Sequence, residues 1–103
     1  MKPKLDLVIP TGLSEKAQAQ WLEINRDSVI DAAAAPILIL YLRALDEVDE
    51  AQLHIAEEGT VMKDRFGIQK INPWVTRARD SAHTAGKMFR LLGFDQEPRG
   101  ASH

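Results

Sequence analysis

Apolar residues recur at helical spacing in three stretches of this chain, with Pro and Gly as punctuation between them. In the first, Leu13, Ala17, Trp21 and Ile24 share one face. Ser14 suits the N-cap, because its hydroxyl accepts from an early unpaired amide, and Glu15 just inside suits the helix dipole. The spacing predicts a helix ending near Arg26. In the second stretch Ile37, Tyr41, Ala44, Val48, Ala51 and Ile55 alternate steps of four and three, which places them on one stripe. Asp31 is a candidate cap there, but Pro36 is tolerated only in a first turn, so the firm helix begins at Ala35 or Pro36. Gly59 ends it as a left-handed C-terminal residue. In the third, Val75, Ala78, Ala82, Ala85, Phe89 and Leu92 keep three-four spacing. Asn72 followed by Pro73 reads as its start, a capping amide and then a residue pre-set for the first helical position, and Gly93 as its end.

The period changes between Thr60 and Ile71. Val61 and Met62 begin a short extended run, Ile68 and Ile71 mark another, and Asp64, Arg65, Phe66 and Gly67 between them suit a turn. A β-hairpin follows, and since two strands alone are marginal it needs a helix, a neighbouring subunit or a ligand to pack on. The predicted fold is therefore mainly α, a three-helix domain with a short β-hairpin between the second and third helices. Its expected organisation is an extended leader at 1–12, a helical domain at 13–93 with the hairpin at 60–71, and a tail at 94–103.

One segment calls for further cover. Ile37, Leu38, Ile39, Leu40, Tyr41 and Leu42 form a run that is apolar on every side of its helix. A helix turn without a polar face must be covered all round, which a domain this small rarely achieves alone. These six residues are therefore the expected oligomer interface.

Composition narrows the function classes. The chain has 103 residues, 45% apolar and 27% charged, with no Cys. That is one ordinary domain with one modest core and no disulfide framework, thiolate metal site or cysteine nucleophile. No apolar run is long enough to span a membrane and no signal-peptide core opens the chain, so the cytoplasm is the expected location. There is no Gly-rich phosphate loop with its Lys. His54, His83 and His103 lack the short spacing that sets two imidazoles on one metal. Glu57 and Glu58 are adjacent on a helix and point about 100° apart, which suits solvent better than an acid/base pair. The serines lack a nucleophile context. The reading is of a protein that is not an enzyme and takes no cofactor or metal.

The net charge of -2 hides an asymmetry: residues 1–58 carry five basic and eleven acidic side chains, residues 59–103 eight and four. Either the halves attract one another, within or between subunits, or the second half meets an anion. Lys63, Arg65 and Lys70 in the hairpin lie close in sequence to Arg77 and Arg79, opposed by Asp64 and Asp80. Such a surface suits a phosphate backbone, and these five are the candidate DNA-binding residues. Phe66 at the turn is a candidate wedge. Trp21 and Trp74 read as core or interface rather than base-stacking platforms.

The order of these elements resembles a known family. A Trp-bearing first helix, a long second helix ending in Glu58 and Gly59, a short basic hairpin, Asn72-Pro73 opening a helix that closes with Leu92-Gly93, and then Pro98-Arg99 are together similar to the P-twenty-seven-like small subunits of phage terminases. The resemblance spans roughly residues 10–99. It implies a non-catalytic component of a DNA-packaging machine, made in a bacterial host by a phage or prophage. Its implied partners are other copies of itself, in a ring, double-stranded phage DNA, and the terminase large subunit that has the ATPase and nuclease. The alternative from the residues alone is a helical protein-protein adaptor or assembly factor without DNA binding. A helix-turn-helix regulator fits less well, because the hairpin stands where its tight turn belongs.

Overall fold

The computed structural model describes residues 8–96. The expectations for the opening of the leader and for Pro98 and Arg99 in the tail fall outside that range. The described chain is mainly helical, three helices with a two-stranded antiparallel hairpin between the second and third, as the periodicity predicts. In order they are α1 (Glu15–Asp27), α2 (Ala35–Glu58), β1 (Val61–Lys63), β2 (Gln69–Ile71) and α3 (Pro73–Leu91).

The caps form largely where their chemistry places them. The Ser14 hydroxyl accepts from the Ala17 amide, and the Asn72 side chain accepts from that of Trp74. Asp31 acts one turn earlier than expected: its side chain accepts from the Ala34 amide, closing a turn that feeds α2, and Ala34 at the N-cap position contributes no side-chain bond. Gly93 (φ 79°) ends α3 with two bonds, its own amide to the Arg90 carbonyl and the Phe94 amide to the Phe89 carbonyl. That is the pairing by which a left-handed glycine satisfies the last carbonyls, and it brings Phe94 back onto Phe89. The two rings meet at 5.7 Å, and both lie near Tyr41 of α2, at 6.0 and 6.1 Å.

The long helix α2 is sandwiched. On one side Leu13, just ahead of α1, and Ala17 and Trp21 of α1 pack against Leu38 and Leu42, which have no exposed surface; on another α3 packs Ala78, Ser81 and Ala85 beside Ala44 and Ala51. This arrangement bears on the run from Ile37 to Leu42. Leu38 and Leu42 enter the protomer's own core, Ile37, Ile39 and Tyr41 are half-buried, and Leu40 is 50% exposed. An all-apolar turn is what a helix needs when two neighbours grip it from different sides.

The stripes also rotate relative to the sequence reading. The deepest positions of α2 near its start are Leu38 and Leu42 rather than Ile37 and Tyr41, and in α3 Ser81 is buried where Ala82 is exposed. Both alternatives satisfy three-four spacing, so the choice between them belongs to the neighbouring helix. Trp21 is buried as expected, with its indole N–H unpaired.

Candidate nucleic-acid interface

The seam between α2 and α3 organises the site. Glu47 on α2 accepts from the Ser81 hydroxyl at 2.6 Å and from the Arg77 guanidinium at 2.8 Å. These bonds, Ser81 first, hold the Glu47 carboxyl below the usual carboxylate range against the opposing pull of desolvation. At the end of the seam Asn72 is fully buried. Its amide group donates to the Gly59 carbonyl at 2.8 Å and to Glu58 at 3.1 Å while its oxygen caps α3. One side chain thus ties the end of α2 to the start of α3 and closes the base of the hairpin. His54 lies between Glu50 and Glu58, one helical turn on either side, and stacks on Trp74 at 4.1 Å with the rings nearly parallel. Its bond to Glu58, followed by that of Asn72, lowers the Glu58 pKa.

The hairpin projects from this clamp. Its register pairs Val61 with Ile71, Met62 with Lys70 and Lys63 with Gln69. The Asp64 carboxylate accepts from the Phe66 and Ile68 amides, and Gly67 takes φ 80°. A three-residue hairpin loop requires such a left-handed residue, which is why the turn ends on glycine. Every residue of both strands is exposed. Alternation along the strands puts Lys63 on one face and Lys70 on the other.

The five candidate cations therefore divide. Lys70 is paired with Asp64 at 3.7 Å, and Arg77 is drawn onto Glu47 and lies 4.9 Å over the Trp74 ring. Lys63, Arg65 and Arg79 are exposed and make no ion pair among the described residues; Arg65 lies over the ring of Phe66 at the tip. What the sequence reading missed is the continuation of Arg79. Arg79, His83, Lys87 and Arg90 advance by four, four and three along α3, all exposed, on the side away from buried Ala78, Ser81 and Ala85. They run about 16 Å along the helix axis, at 1.5 Å per residue. Their spacing is itself a helical stripe and was available in the sequence. Ser81 was also missed, because a serine within an alanine stripe reads as tolerated filler until its partner Glu47 is known.

The acids of α2 are largely engaged with the protomer's own groups. Asp46 accepts from the Ser14 amide and hydroxyl, Asp49 pairs with Lys16 at 3.2 Å, and Glu47 holds α3. So the acidic half docks helices, while the outer face of α3 keeps its positive groups for something else. Among the described residues no group of acidic, His or Cys side chains is placed to hold a metal ion, and no helix is long and apolar enough to cross a membrane.

The described residues thus form a small, mainly helical domain with an exposed hairpin and an open basic face on α3. The chain belongs to the phage terminase small subunit family, whose model matches residues 17–102. Membership assigns it to phage genome packaging, in a family that is generally non-catalytic. No curated protein and no solved structure matches the chain.

Proposed function

We propose that the protein is a non-catalytic, self-assembling small subunit that engages double-stranded phage DNA by electrostatics and delivers it to the large ATPase and nuclease subunit in the host cytoplasm. The observation that carries this reading is the exposed positive stripe of α3, Arg79, Lys87 and Arg90 with His83 among them, without an ion pair among the described residues. Lys63 and Arg65 are exposed too, but on the hairpin rather than on this helix face. Lys70 and Arg77 contribute less, since each already faces a carboxylate. Leu40, with the open parts of Ile37, Ile39 and Tyr41, is what the apolar run offers to another copy. Assembly matters to affinity: one copy presents few phosphate contacts, and aligned copies gain by effective concentration.

The test is binding to duplex DNA across a salt series. Affinity should fall steeply between about 50 and 200 mM salt, and the triple change Arg79→Ala, Lys87→Ala, Arg90→Ala should reduce the salt slope by roughly three per copy engaged. Binding that ignores salt, or that survives the triple change, refutes this DNA face. The protein-only adaptor is favoured by one observation, the exposed apolar side chains of the hairpin. Light scattering with and without DNA separates the two: an adaptor gives identical profiles.

A further inference from the structure

Two apolar surfaces of opposite charge remain open on each copy. The first is the hairpin. Val61, Phe66, Ile68 and Ile71 are exposed by 50, 73, 58 and 66%, beside Lys63 and Arg65, which have no carboxylate partner among the described residues. The second lies on α2. Helix α1 is 13 residues long against 24 in α2, and it starts at Asp46 and Asp49 and covers α2 back toward Leu38. Beyond its N-terminus the same side of α2 continues uncovered among the described residues. There an open groove of about 560 Å³ is lined by Leu13, Ser14, Lys16, Asp46, Asp49, Glu50 and Leu53. Leu53 is 67% exposed. Three carboxylates in this groove face one Lys, and the side chains of Asp49 and Glu50 are more than half exposed.

We propose that the hairpin of one copy seats in this groove of a second copy, Phe66 and its apolar neighbours against Leu53, with Lys63 and Arg65 facing Asp49 and Glu50. The proposal rests on the self-assembly part of the preceding reading and names its contact. Three observations favour a second copy as the occupant. The surfaces are complementary: apolar side chains with cations that lack a carboxylate partner among the described residues on the hairpin, and in the groove exposed Leu53 beside Asp49 and Glu50, whose side chains stay more than half exposed although Lys16 and His54 already meet them. A two-stranded hairpin is marginal without a packing partner, and this one packs on no helix of its own chain to any extent that buries a strand residue. The residue imbalance between the halves of the chain, acidic before Gly59 and basic after it, is also what a contact between unlike surfaces of identical copies requires. Hairpin and groove are different patches, so the contact is head-to-tail and propagates from copy to copy, closing into a ring if the rotation permits. Committing Lys63 and Arg65 to a neighbour leaves the α3 stripe as the DNA face.

Native mass spectrometry of the full chain without DNA tests this, with circular dichroism to verify folding. The wild type should assemble at micromolar concentration. Leu53→Asp, at a side chain that adds little to the protomer's own core, should keep its helix content and weaken assembly by one to two orders of magnitude. The pair Lys63→Glu with Arg65→Glu should do the same, as should Asp49→Lys with Glu50→Lys. Mixing these two charge-reversed chains should restore assembly, now with the two chains alternating, because each reversed hairpin meets a reversed groove. If the wild type assembles and the variants assemble equally well, or if the reversed chains never combine, this contact is refuted while self-assembly stands. A wild type that stays monomeric refutes both. DNA binding through α3 is read separately, by comparing the salt slope of the α3 triple variant with that of the wild type.

Discussion

Replacing Asn72 by Ala removes a buried side chain that makes three hydrogen bonds. Asn72 has no exposed surface; it accepts from the Trp74 amide at 3.0 Å, donates to the Gly59 carbonyl at 2.8 Å, and reaches Glu58 at 3.1 Å. Loss of a helix N-cap costs about 1 kcal/mol. The bond to the Gly59 carbonyl contributes about another 1 kcal/mol net. The bond to Glu58 adds little, because an exposed carboxylate finds water instead. A total of about 2 kcal/mol follows, which for a domain of this size lowers Tm by roughly 8–16 °C. Asn72→Ser separates the two contributions, since its hydroxyl can still cap α3 but cannot span to Gly59, and should recover about 1 kcal/mol. Urea unfolding followed by circular dichroism, repeated at several protein concentrations to account for assembly, measures both. An Ala variant within about 0.5 kcal/mol of wild type, or a Ser variant no better than Ala, refutes the clamp.

Other expectations follow from the same packing. Leu42→Ala should cost about 2–5 kcal/mol by opening the core between α1 and α2, whereas Leu40→Ala, two residues away and 50% exposed, should stay within about 0.5 kcal/mol; equal costs in urea unfolding would contradict the sandwich. Arg77→Ala should lower Tm through the Glu47 contact yet leave the salt slope of DNA binding nearly unchanged, and Arg79→Ala should do the reverse, as parallel thermal melts and binding titrations would reveal. Glu47 and Glu58 both have folded pKa values below their ordinary ones. Their contribution is therefore present above the unfolded carboxylate pKa of about 4.3 and is lost as pH falls through the folded values. Stability measured from about pH 6 down to 2 should decline over that window, and Glu47→Gln should flatten part of the decline; an unchanged profile in the variant would exclude Glu47 as a source.

Much of the fold was legible along the chain because it depends on local chemistry. Ser14, Asn72-Pro73 and Gly93 mark helix ends through bonds made within a few residues, and Asp64 with Gly67 closes the hairpin in the same way. The candidate site was less legible. Charge alone grouped Lys63, Arg65, Lys70, Arg77 and Arg79, but a side chain's availability depends on its partner. Arg77 is lost to Glu47, 30 residues earlier, and Lys70 to Asp64 across the turn. The stripe from Arg79 to Arg90 does show in the chain, since its members recur at helical spacing.

By itself, then, the amino-acid order determined the three helices, the hairpin, the caps of α1 and α3, the absence of thiol chemistry and the split of charge at Gly59. Tertiary structure alone decided which of two equally periodic stripes turns inward. Leu38 and Leu42 are enclosed because α1 lies on one side of α2, and Ser81 displaces Ala82 because Glu47 waits opposite it on the other. Periodicity specifies that a helix has a face; only the neighbour that covers it specifies which.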